Sequence, residues 1–233
     1  MCNDLYPIVI EGEPMGQTAL KVVALGEQLA DELRGRIVRG QIPAGIHLVE
    51  DSLAASYSVS RGPVRDALRA LLAEGLLETR RRGFYVRRFQ QSDIDELYEI
   101  RGAAEQLAGR LAIERSDPRS WEQARAHLDE MLRHAEAGDQ HAFAVADLAF
   151  HTEFYRNSGS ARLLSLWRQY EPTFATLLDI TNSQDADLRP SYHDHEVLLQ
   201  HLLDRDAAGF SAALDKHLEG SHRRLSGAIT QPA

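Results

Sequence analysis

Apolar residues recur at helical spacing through most of this chain, and the main exception is one short stretch before residue 90. Between residues 24 and 39, Leu25, Leu29, Leu33, Ile37 and Val38 share one face, which predicts an amphipathic helix stopped by Gly40. A turn through residues 42–45 follows, then a short helix over 49–57 with Glu50 and Asp51 at its N-terminal end, where carboxylates suit the helix dipole. Ser58 and Val59 turn into a third helix, for which Ser60 is the expected cap and Pro63 fits the first turn. Its buried stripe is Val64, Ala67, Leu68, Leu71 and Leu72. Beyond Gly75 the period changes: residues 76–79 and 84–87 read as two strands around a tip at 80–83.

From Ser92 onward the pattern is helical again. A Ser-x-x-Asp cap at Ser92 opens a helix over 92–115 with Ile94, Leu97, Tyr98, Ala104, Ala108 and Leu111 inward. Further helices are expected over 120–137, 139–157, 161–180, 193–203 and 207–229, with breaks at Asp117-Pro118, Gly138, Ser158-Gly159 and Arg189-Pro190. The fold class is therefore mainly α: a three-helix unit with a small β-wing, then an all-α bundle large enough for an internal cavity. The expected division is a loose arm over 1–16, a first domain over 17–91 and a helical domain over 92–233.

Charge separates these parts. The chain has 233 residues and a net charge of −9. Residues 17–91 carry 12 Lys and Arg against 8 Asp and Glu, while residues 92–233 carry 14 against 24. The first domain is basic inside an acidic whole. Arg61, Arg65 and Arg69 lie four apart on the third helix, away from its apolar stripe, and Arg80, Arg81 and Arg82 crowd the wing tip. A solvated helix face would explain the triplet alone. Helix and cationic wing together are the arrangement with which a winged helix-turn-helix addresses double-stranded DNA.

The segment GQIPAGIHLVEDSLAASYSVSRGPVRDALRALLAEGLL resembles the DNA-binding domain of the GntR family of bacterial transcription regulators, with PAG, LA, VSR, PVR, ALR and EGL in family order. The resemblance implies that Arg61 and Arg65 contact bases or phosphates and that Gly83 enters the minor groove. Asp51 stands where many members carry an arginine that touches DNA.

Other classes are excluded quickly. One cysteine, Cys2, allows no disulfide framework and no cysteine-rich zinc site. No apolar run reaches 18 residues, and the first sixteen residues hold acids but no Lys or Arg, so neither a membrane span nor a secretory signal is expected. A cytoplasmic protein is the expectation.

In the second half, polar residues interrupt the apolar stripes at four places. Asp147 and His151 fall among Phe143, Phe150 and Phe154; His195 joins Leu198, Leu199 and Leu202; His217 joins Phe210, Ala213 and Leu214. Burying four such groups unpaired is costly, and a divalent metal would satisfy them together. Structural histidines are the alternative, and His127, His134, His141, His193, His201 and His222 read as surface. The Asp147-x-x-x-His151…His195…His217 order is similar to the FadR-type C-terminal (FCD) ligand-binding domain of the same family. That resemblance implies a divalent ion at these positions, zinc first, with nickel or manganese as alternatives. Ser160 replaces an asparagine usual there.

Arg101 also intrudes, between Leu97 and Ala104. Its local partner would be Glu105; the resemblance instead implies a grip on the carboxylate of an organic-acid effector, which a planar guanidinium suits. The expectation is a ligand-responsive, homodimeric transcription regulator with operator DNA as partner. A metal-dependent hydrolase, with Glu153 or Asp194 as base, and a DNA-binding protein with a purely structural bundle are the alternatives.

Overall fold

The computed structural model describes residues 17–81, 83–183 and 185–230. The expected arm over 1–16 and Arg82 lie outside them. The first helix, α1, spans Gln17–Val38, starting earlier than its apolar pattern suggests. Leu29, Leu33 and Ile37 on α1 are buried, and so are Val64, Leu68 and Leu71 on α3 (Arg61–Ala73). Leu72, expected in that stripe, is half-buried; the buried proline Pro63 joins it instead. Helix α2 (Glu50–Tyr57) lies between them in sequence and closes on Ser58 in the left-handed conformation, which sets the turn into α3.

Strands β2 (Leu77–Arg80) and β3 (Gly83–Val86) form the expected antiparallel wing, in the register Leu77↔Val86 to Arg80↔Gly83. A third strand, β1 (His47–Leu48), pairs along the other edge of β3 and gives the order β1-β3-β2. Two residues are too few to leave a period in the sequence.

Helix α4 (Gln91–Arg115) starts one residue before the expected Ser92, because its capping box is Gln90 with Asp93 rather than Ser92 with Asp95. A 3₁₀ turn (Pro118–Trp121) leads into α5 (Glu122–Ala137), followed by α6 (Gln140–Asn157), α7 (Ala161–Asn182), α8 (Arg189–Leu203) and α9 (Ala207–Thr230). Arg189-Pro190 does not break α8 but begins it, since a first-turn proline forfeits no hydrogen bond. Phe143, Phe150, Phe154, Phe210 and Leu214 fill the bundle centre. None of the described helices is long and apolar enough to cross a membrane.

The two halves meet at α7. Glu74, at the C-terminal end of α3, accepts a bidentate pair from Arg34 of α1 at 2.6 and 2.7 Å, and the Thr173 hydroxyl of α7 donates to it at 2.9 Å. Gln169 of α7 donates to the Ala73 carbonyl at 2.8 Å, and Arg39 pairs with Asp179 at 3.0 Å.

Candidate functional site

On the basic face, Arg61, Arg65 and Arg69 are all exposed along α3. Arg61 Nε lies 2.6 Å from Asp51, and Arg65 Nε lies 2.7 Å from Glu50, so the first turn of α2 supplies a carboxylate to each. Ser60 occupies the N-cap position of α3, but its side chain makes no cap hydrogen bond there. Arg81 opens the wing turn at φ +50°, and Arg80 lies 5.4 Å from the Tyr85 ring centroid. At Gly83 a side chain would run into the His47 ring, which stacks on Tyr85 at 4.6 Å. Glycine here lets β1 close over the wing.

The second site is in the bundle. Helix α6 carries Asp147 and His151 one turn apart, α8 carries His195 and α9 carries His217, and all four are buried. Ligand atoms of His151, His195 and His217 all lie within 4.8 Å of one another. Asp147 is 3.5 Å from His195 Nε2 and 3.7 Å from His151 Nε2.

Hydrogen bonds fix which ring nitrogens carry protons. His151 Nδ1 sits 2.9 Å from the Glu105 carboxylate, an acceptor only, so this nitrogen is the donor. His195 Nδ1 sits 2.7 Å from the Ser191 carbonyl and must donate as well. In neutral rings both Nε2 atoms then present lone pairs, and they face each other at 3.2 Å beside the Asp147 carboxylate. Only a proton or a metal cation between them relieves that repulsion. Asp147 Oδ1 and His217 Nδ1 are also buried without a hydrogen-bond partner.

The electrostatics keep these groups ready to ligate. Burial opposes ionisation of Asp147, but the facing His195 and His151 outweigh it and draw the carboxyl down to about 2. Burial holds His217 well below the ordinary histidine range, and the nearby imidazoles push the same way, so its ring is neutral. His151 is lowered by burial despite the pull of Glu105. Three imidazoles and one carboxylate are a donor set suited to zinc, nickel or manganese, with positions left for a further ligand. The Nδ1–H contacts to Glu105 and Ser191 are of the kind that orient histidines in metal sites.

Arg101 is buried next to this cluster. Its Nε donates to Glu105 Oε1 at 2.7 Å, the local partner expected from the sequence, and Glu105 Oε2 faces His151. Glu105 thus joins the arginine to the histidines, a role the sequence reading missed; its position four residues after Arg101 was the available signal. Phe174 and Trp167 lie 5.0 and 5.7 Å from the guanidinium carbon, and Nη2 has no partner. Glu153, weighed as a catalytic base, pairs with Arg156 instead, and its next neighbour is His127. Ser160 caps α7 by accepting from the Leu163 amide.

Comparison with known proteins gives a consistent setting. Residues 25–86 match the family described as bacterial regulatory proteins, gntR family, and residues 96–220 match the FCD domain. The chain is 33% identical over 195 residues to the "probable D-xylose utilization operon transcriptional repressor" of Paenarthrobacter nicotinovorans, covering 83% of this chain and 85% of that one. It is 29% identical over 184 residues to the gluconate operon transcriptional repressor of Bacillus licheniformis, covering 77% and 73% respectively. Among solved structures, E. coli McbR/YncC superposes with a TM-score of 0.70 at 23% identity, over 87% of this chain and 97% of that chain.

Proposed function

The chain belongs to the GntR family of bacterial transcription regulators, and from that premise we propose a regulator whose operator affinity is set by a metal and an organic acid held in its bundle. It is a DNA-binding regulator and not an enzyme. In this reading α3 enters the major groove with Arg61, Arg65 and Arg69, while the Ser60 hydroxyl, unused as a cap, meets a phosphate. Arg81, Arg82 and Gly83 bring the wing to the neighbouring minor groove. Two copies, as a homodimer, read two half-sites in the cytoplasm and repress, as the names of the relatives say of them.

Asp147, His151, His195 and His217 would hold one divalent ion, which supplies structural cross-linking of three helices and open positions for an acidic ligand. The observation that carries this is the pair of Nε2 atoms at 3.2 Å, each ring committed to donate through its other nitrogen. Arg101 then meets the carboxylate of a small organic acid that reaches toward the ion. Binding changes operator affinity only if the acid prefers one arrangement of the DNA-binding domains.

Metal analysis of the purified chain tests the centre. About one divalent ion per chain is expected, lost from His195→Ala and His217→Ala, and chelation should lower the melting temperature because the ion binds only the folded bundle. Metal-free protein whose melting ignores excess zinc, nickel and manganese would contradict it.

A further inference from the structure

Strand register gives the wing sheet two unlike faces. His47, Tyr85 and Glu78 stand opposite one another across β1, β3 and β2, so their side chains share one side. One step nearer the tip, Arg80 faces Gly83, and both return to that side because side chains alternate along a strand. Leu48, Leu77 and Val86 take the other side and are buried. The outer side therefore carries an imidazole, a phenol, a carboxylate and a guanidinium.

The imidazole leans toward the tip. Its ring stacks on Tyr85 with 14° between the planes. A Cβ built on Gly83 would lie 2.2 Å from His47 Nε2 and 2.8 Å from Cδ2, so the ring fills the place that a side chain at residue 83 would take. His47 is exposed, and neither ring nitrogen is tied to an acceptor among the described residues. The charged groups on this side are Glu78 from β2, already paired with Arg80, and Arg80 itself, beside the Tyr85 ring. Arg81 adds a cation at the turn. The neighbours of His47 along β1, Ile46 and Leu48, carry no charge.

We infer that His47 belongs to the DNA interface, where its imidazolium donates to a backbone phosphate beside the minor groove that receives Gly83. The inference rests on the proposed placement of the wing against DNA, and it adds β1 to that surface. Phosphate contacts carry no base identity, so His47 strengthens binding to any duplex. Histidine ordinarily changes charge between pH 5 and 8, and an anionic partner favours its charged form. Binding to DNA therefore takes up a proton, and affinity rises as pH falls through that range.

Fluorescence-anisotropy titration of the full-length chain with a duplex of arbitrary sequence, at pH 8 and pH 6 and one fixed salt concentration, tests this. The gain in affinity on acidification should be about tenfold larger in the wild type than in His47→Gln, the contribution of one hydrogen bond to a charged group. His47→Arg, which carries its charge at both pH values, should bind more tightly than the wild type at pH 8 and raise the salt slope there by about 1. It also provides the second test if His47→Gln does not fold. Equal gains in the wild type and His47→Gln, or a wild-type gain and salt slope in His47→Arg, would overturn the inference. If Arg81→Ala weakens binding while both His47 variants behave as wild type, the role of His47 alone is wrong. If Arg81→Ala also binds as wild type, the placement of the wing falls with it.

Discussion

Arg61 and Arg65 must each leave a carboxylate before they can reach DNA. The pairs with Asp51 and Glu50 are solvent-exposed, and such pairs contribute only about 0–1 kcal/mol, so phosphates and base edges displace them at little cost. In the proposed complex the carboxylates would come to the interface with their arginines, where they would repel phosphate and favour a donor-bearing base edge. Arg65→Ala should weaken binding to a selected operator by roughly 1–3 kcal/mol in a gel-shift titration. Arg81→Ala should weaken binding to all sequences alike and reduce the salt slope by about 1. Normal affinity in the Arg61→Ala/Arg65→Ala double variant would show that α3 is not the reading helix. Gly83 tests the wing at the same scale. Gly83→Ala should expel His47 from its stack on Tyr85 and lower the melting temperature, and His47→Ala in the same chain should restore part of the loss.

At the scale of elements, long periodic stripes were legible and short or locally capped features were not. Most residues of the stripes expected on α3, α4, α6 and α9 are buried, with Leu72, Leu111 and Ala213 only partly so, since burial of one face is what stabilises such helices. Strand β1 left no signal because two residues have no period. Pro190 misled because the same proline that ends one helix can open another. The cap of α4 moved to Gln90 because a glutamine side chain can accept from the Asp93 amide as serine would. Asp147, His151, His195 and His217 were legible as intruders on apolar stripes, but Glu105 was not recognised as their brace, since only the packing of α4 against α6 brings it to His151. That brace is open to test. Glu105→Gln should free the tautomer of His151 and lower metal affinity by about 10–100-fold, measured by competition with a chelator of known strength. Unchanged affinity would reduce Glu105 to a partner of Arg101 alone.

For the whole molecule, the question is how a small acid in the bundle reaches DNA. Sequence order points to α4, which follows the wing directly and carries Arg101. Contacts in the folded chain add α7, whose Thr173 hydroxyl binds the buried Arg34–Glu74 pair at the end of α3. Thr173→Val removes one hydrogen bond while leaving Arg34 on Glu74. It should cost about 1 kcal/mol of stability and shrink the change in operator affinity that the acid produces, expected at roughly 5- to 150-fold in the wild type. An undiminished response would place the coupling in α4 alone. The acid, in turn, is expected to depend on the metal centre proposed at Asp147, His151, His195 and His217 on α6, α8 and α9. X-ray absorption at the zinc edge of the zinc-loaded chain probes that centre most directly. The account predicts imidazole scattering from three histidines at about 2.0–2.1 Å, reduced to two in His217→Ala. Zinc surrounded by water and carboxylate oxygens, with no imidazole signal, would contradict it.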